Sequence, residues 1–147
     1  SADVIINKFE IGQVMMSRYE KDNISYRNLL QAMDYKYLEP VIPQKGDIIT
    51  LGSAVCTIMA PLEEYENANN ASLVLLVQNG ENRFLFTGDA EAEAEEDLLA
   101  AISNAGESLW DSIPDKADGL SLRADVYKAG HHGSNTSSGE AFSVRFL

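Results

Sequence analysis

Apolar residues recur at helical spacing from the start of the chain. Ala2, Ile5, Ile6 and Phe9 stand at i, i+3, i+4 and i+7, which predicts a helix already under way at the first residue. Ile11-Gly12-Gln13-Val14-Met15-Met16 is short and apolar and reads as a buried strand. Leu29, Leu30, Ala32 and Met33 then mark the apolar face of a second helix, with Ser25 as a cap and Pro40 and Pro43 forbidding its continuation. From Gly46 the period changes. Asp47-Ile48-Ile49-Thr50-Leu51-Gly52 and Ala54-Val55-Cys56-Thr57-Ile58-Met59 are rich in β-branched residues and are split by Gly52-Ser53, so they predict a hairpin. A polar stretch over 63–70 leads to a second predicted hairpin, Leu73 to Val77 and Arg83 to Thr87, joined by Asn79-Gly80, a type I′ turn signal.

Glu91 to Ile102 predicts a helix, its acidic first turns favoured by the helix dipole and Leu98, Leu99 and Ile102 supplying apolar contacts. Its acidic run is expected to be a solvated face. Residues 104–122, with Gly106, Pro114 and Gly119, read as a long irregular connection anchored by Trp110. Ala124 to Ala129 predicts a last strand that delivers the chain to Gly130-His131-His132-Gly133-Ser134. The alternation of helices and strands points to a layered α/β (α+β) fold.

At 147 residues the chain is one ordinary domain's worth, and residues 1–147 are expected to form a single unit. With 45% apolar and 23% charged residues, its composition is that of a globular domain. Charge narrows the picture further: 23 acidic against 11 basic residues leave a net charge of −12, a surface that repels nucleic acid and anionic lipid unless metal ions or a local basic patch intervene. Cys56, alone in the chain, excludes an internal disulfide and, within an apolar run, reads as a buried small hydrophobe. No stretch approaches the roughly 20 apolar residues of a membrane span, and the start lacks a signal-peptide pattern.

The two histidines, His131 and His132, are adjacent at a predicted strand end and flanked by glycines that allow close ligand approach. Imidazole is a common metal ligand, whereas an incidental polar turn is the plain alternative. Thr87-Gly88-Asp89 ends another strand directly before a helix, where Asp89 is equally a good N-cap. Strand ends are where α/β folds put ligand sites, and a carboxylate beside imidazole suits Zn²⁺ or Mn²⁺.

Asn69-Asn70-Ala71-Ser72-Leu73-Val74-Leu75, Arg83-Phe84-Leu85-Phe86-Thr87-Gly88-Asp89 with Glu91 onward, and Ala124 to Ser134 occur here in an order that resembles the metallo-β-lactamase superfamily, and within it the ComEC-like hydrolase domain of DNA-uptake competence proteins. The resemblance covers nearly the whole chain. It implies part of a four-layer αββα sandwich with a one- or two-metal site at the edge between its sheets. Asp89 would bridge the metals, His131 or His132 would complete the second metal's shell, and the other histidine could contact a phosphate oxygen. Asn70 or Asn69 would stand as a neutral oxygen ligand, and Lys128 and Ser134 near the substrate; Lys128 could equally be an ordinary surface lysine. The complete enzyme would lower the pKa of a bound water and cleave phosphodiester (DNA) or related ester bonds, in the cell envelope or outside a bacterium.

The superfamily's first metal motif, His-x-His-x-Asp-His, is absent from these residues, and the resemblance puts it immediately before Ser1. Residues 1–147 are therefore expected to be the C-terminal half of such a domain, with Ser143 to Leu147 fitting the next strand poorly. With too few ligands, the half alone is expected to be inactive, to bind metal weakly or not at all, and to self-associate through an exposed sheet edge. The alternative is a non-catalytic binding or structural domain that kept the fold without metals.

Overall fold

A computed structural model describes residues 2–104 and 123–146, which fall into two compact units, 1–43 and 44–147. In the first unit, helices α1 (Ala2–Lys8) and α2 (Ile24–Tyr35) accompany two short parallel strands, β1 (Val14–Met15) and β2 (Pro40–Val41). Ile6, Ala32 and Met33 form its small core, with Ile11, Val14, Met16, Leu29 and Leu38 packed against it. The strand expected over 11–16 contracts to β1. The cap of α2 is Asn23, not Ser25: in extended backbone, its Oδ1 accepts the Tyr26 N–H at 2.9 Å, as an N-cap does for the third helical residue.

The second unit is built on a five-stranded sheet in the order β3-β4-β5-β6-β7: Ile48–Leu51, Ala54–Ala60, Val74–Asn79, Asn82–Phe86 and Val126–Lys128. The first four are antiparallel neighbours, and β7 joins β6 in parallel. This matches the expected α+β class. The first hairpin turns at Gly52-Ser53 as predicted, with Leu51 paired to Ala54. The second turns one residue later than expected. Asn79 pairs with Asn82, so Gly80-Glu81 form the loop, and only Gly80 has positive φ, whereas a type I′ turn needs both central residues there.

Period-two alternation gives the sheet two distinct faces. Leu76 and Leu85 are paired neighbours on one face, where Ala94, Leu98 and Ile102 of α3 (Ala92–Asn104) and Phe142 of α4 (Glu140–Phe146) complete the core. On the other face Val77, Phe84 and Val126 form a cross-strand row, and Phe86 and Val126 keep 41% and 50% of their surface. Of the tail that fitted a strand poorly, Ser143 to Phe146 lie in helix α4. Cys56 is buried as expected, and burial raises its thiol pKa. The connection expected around Trp110 lies outside the described residues over 105–122.

Candidate functional site

Phe86 pairs with Lys128 where β6 and β7 run side by side in the same direction, so both strands release the chain at one end of the sheet. Thr87-Gly88-Asp89 leaves from one and Ala129-Gly130-His131-His132 from the other. Several bonds tie the two exits together. The buried Thr87 hydroxyl donates to the Lys128 carbonyl at 3.3 Å, while the Gly88 carbonyl accepts the His131 N–H at 3.2 Å and Lys128 Nζ at 2.7 Å. Gly88 has φ +60, and a Cβ there would lie 2.8 Å from Ser72 Cβ; the Ser72 hydroxyl is in turn occupied as acceptor for the Asp89 N–H. Only glycine lets the two segments approach this closely.

The tight turn Gly130–Gly133 holds both histidines in left-handed backbone, His131 at φ 42, ψ 49 and His132 at φ 54, ψ 27. Each such non-glycine residue costs about 1–2 kcal/mol, strain that persists only where the surroundings impose it. The imposing groups are in the serine-rich segment that follows. Ser137 Oγ donates to the Gly130 carbonyl at 2.7 Å, and Ser138 Oγ accepts the Gly130 N–H at 3.1 Å.

The two rings have different partners. His132 Nε2 lies 3.4 Å from Asp89 Oδ1, both side chains being substantially exposed. His131 Nδ1 lies 3.0 Å from Glu91 Oε1 in a more enclosed position. Two donor atoms bound at 2.0–2.1 Å to one tetrahedral ion stand about 3.3 Å apart, so the Asp89–His132 spacing fits two corners of such a shell. The His131–Glu91 spacing is that of a good hydrogen bond. Among the described residues, no group of three or more His, Cys, Asp or Glu side chains converges to hold a metal ion.

Asn70 is buried, its Oδ1 accepting the Glu91 N–H at 2.9 Å and its Nδ2 donating to Glu93 Oε2 at 2.7 Å. Asn70 thus holds the amide of Glu91 just ahead of α3, and the Asp89 carboxylate faces His132. Asn69 Nδ2 donates to Glu91 Oε1 at 2.9 Å. Lys128 is half-buried with Nζ also 3.3 Å from the Ala129 carbonyl, and Ser134 Oγ is 3.0 Å from Thr136 Oγ1.

The acidic run of α3 departs from the solvated face expected of it. Glu95 is 3% exposed and accepts the Ser138 and Gly139 N–H groups at 2.6 and 3.0 Å, fixing the segment behind the histidine turn. Glu91 and Glu95 lie at i and i+4, with Leu98 and Ile102 at i+7 and i+11, on the helix's buried stripe. That spacing was the available signal. The Glu91 carboxyl is held below its ordinary pKa, first by the Asn69 hydrogen bond, against some desolvation, and further by bonds from Thr136 and Asn67 and the nearby His131.

No family model matches the chain. It is 24% identical over 142 residues to ComE operon protein 3 of Bacillus subtilis, an alignment covering 96% of this chain and 16% of the relative. It is 33% identical over 84 residues to Recombination protein 2 of Haemophilus influenzae, covering 56% and 8%. An uncharacterized protein of Escherichia coli, YcaI, is 36% identical over 73 residues, 50% of this chain and 8% of that protein. The chain thus spans a sixth or less of the length of these curated relatives.

Proposed function

We propose that residues 1–147 belong to a competence-associated, metal-dependent hydrolase of the metallo-β-lactamase type, acting on phosphodiester or related ester bonds at the bacterial cell envelope. The observation that carries this reading is the 3.4 Å separation of Asp89 Oδ1 and His132 Nε2 at the ends of adjacent parallel strands. The names ComE operon protein 3 and Recombination protein 2 support the association with competence. The half-exposed second face of the sheet, with Phe86 and Val126, accords with a sandwich in which another layer covers it.

In this reading Asp89 and His132 hold a Zn²⁺ or Mn²⁺ ion, with Asn70 fixing the loop from behind. A bound divalent ion supplies Lewis acidity and activates water at neutral pH. Lys128, braced on the Gly88 carbonyl, lends positive charge beside Asp89 for an anionic substrate. Ser134 and His131 stand at the rim of the same turn to contact it. Two good donors fall short of the three or four of a zinc site, so the reading takes the remaining ligands from outside residues 1–147.

Calorimetric titration of Zn²⁺ and Mn²⁺ tests this on the chain as it stands, on Asp89→Ala and His132→Ala, and on a version extended upstream. Weak binding by the chain, abolished in both variants, and tight binding only in the extended version is expected. No binding in either version would leave the non-catalytic domain in its place, and tight binding that survives Asp89→Ala would move the site elsewhere.

A further inference from the structure

The asparagines before β5 do something that a ligand role does not describe. Asn67 Oδ1 accepts the Asn69 N–H at 2.9 Å, which orients the Asn67 side chain and turns its Nδ2 onto Glu91 Oε2 at 3.0 Å. Asn69 Nδ2 donates to Glu91 Oε1 at 2.9 Å. Glu91 therefore takes an amide donor on each carboxylate oxygen, and its backbone N–H is held by Asn70. An ionised carboxylate can only accept, so the ring nitrogen facing it at 3.0 Å, His131 Nδ1, carries the proton. Thr136 Oγ1 lies 3.4 Å from the same nitrogen and 3.0 Å from Ser134 Oγ, and its hydroxyl oxygen can accept from an Nδ1–H.

We infer that the Asn67–Asn70 turn acts through Glu91 as a positioning relay that locks neutral His131 in the Nδ1–H tautomer and leaves Nε2 as its lone-pair nitrogen. Asn69 and Glu91 are positioning residues, since neither needs to touch a substrate. The relay orients one histidine by a carboxylate that is itself oriented, the arrangement by which outer-layer partners fix imidazole ligands. It also separates the two histidines: without metal, His132 has the opposite nitrogen, Nε2, toward Asp89 and serves as an internal comparison. The inference rests on the proposed site only for its purpose, a preset imidazole lone pair beside the Asp89–His132 corner.

Two-bond ¹⁵N–¹H correlation spectra of the metal-free chain, recorded at rising pH until the imidazole signals stop moving, read the tautomers of the neutral rings directly. His131 is expected as Nδ1–H. In Glu91→Ala the carboxylate that faces His131 Nδ1 is gone, so the tautomer ratio is expected to move from Nδ1–H toward Nε2–H. Asn69→Ala should move the ratio part of the way, with a native backbone spectrum. Should Glu91→Ala fail to fold, the wild type and Asn69→Ala decide. Nε2–H on wild-type His131 would overturn the relay, as would Nδ1–H kept unchanged in natively folded Glu91→Ala or Asn69→Ala, since a purely structural Glu91 would alter stability and not the tautomer. Because no metal is present, a failed metal titration sinks the hydrolase reading and leaves this result standing, and the converse holds equally.

Discussion

His132 pairs a costly backbone with an exposed side chain, a combination that stability alone does not favour. Its φ of 54° is native to glycine, and its largely exposed ring faces Asp89 and stands edge-on to the His131 ring. His132→Gly is therefore expected to stabilise the fold by about 1 kcal/mol in urea denaturation while abolishing metal binding. A loss of stability in that variant would mean the ring has a packing role. His131 differs, because its ring is engaged by Glu91 and the same substitution removes that bond. Tyr65 offers a second test at this scale. Burial, then the hydrogen bond from its hydroxyl to Asp97 at 2.9 Å, push the phenol well above its ordinary pKa of 10.0. A raised folded-state pKa stabilises the fold below the unfolded value and loses that contribution as pH rises through the folded value. Alkaline absorbance titrations of wild type and Tyr65→Phe should thus coincide near pH 10.0, and the wild type's extra ionisation should appear only with unfolding.

Helix α3 carries the site as much as the sheet does. Glu95 reaches across to the two amides that open α4, and Glu95→Ala is expected to cost about 1.5–3 kcal/mol in thermal or urea melts, since two part-buried N–H groups lose a charged acceptor. Asn70→Ala, which removes the hydrogen bond to the Glu91 amide, should cost about 1 kcal/mol. The five strands of the main sheet were legible from sequence because β-branched runs and glycine turns are local signals, as in the hairpin at Gly52-Ser53, whereas the two-residue β2 at Pro40–Val41 was not. The slipped turn at Gly80-Glu81 was not, because register is set by cross-strand pairing that Asn-Gly alone does not specify. Asp89 and the histidine pair stood out as polar residues at strand ends. Glu91 and Glu95 were hidden among the five acids of 91–97, where charge count suggests solvent and only helical phase separates the buried Glu95 and half-buried Glu91 from the rest. Which histidine meets Asp89 was undecidable from adjacent identical residues and needed the turn's dihedral angles.

The whole molecule combines a net charge of −12 with an exposed sheet edge. Strand β3 borders the sheet with Ile48 and Leu51 at 45% and 66% exposure, an apolar edge of the kind that pairs with other chains. Concentration-dependent self-association is expected by sedimentation, and Ile48→Lys should suppress it; association unaffected by that charge would put the contact elsewhere. The same net charge means that duplex DNA should not be retained by this chain at moderate salt without added divalent cations, which a filter-binding series in Mn²⁺ and chelator would reveal.

The parallel union of β6 and β7 has a consequence for how the protein comes into being. Phe84 meets Val126 across forty-two positions of chain, whereas each hairpin closes over a two-residue loop. Pairings between distant segments pay their loop-closure entropy before any contact rewards them, so the hairpins will assemble early and the last strand will dock late. Asp89 and His132 thus meet only at the end of folding, and in pulse-labelling hydrogen exchange the amides of 126–131 should gain protection after those of β4 and β5. A chain caught partway would own every residue of its site and none of the geometry.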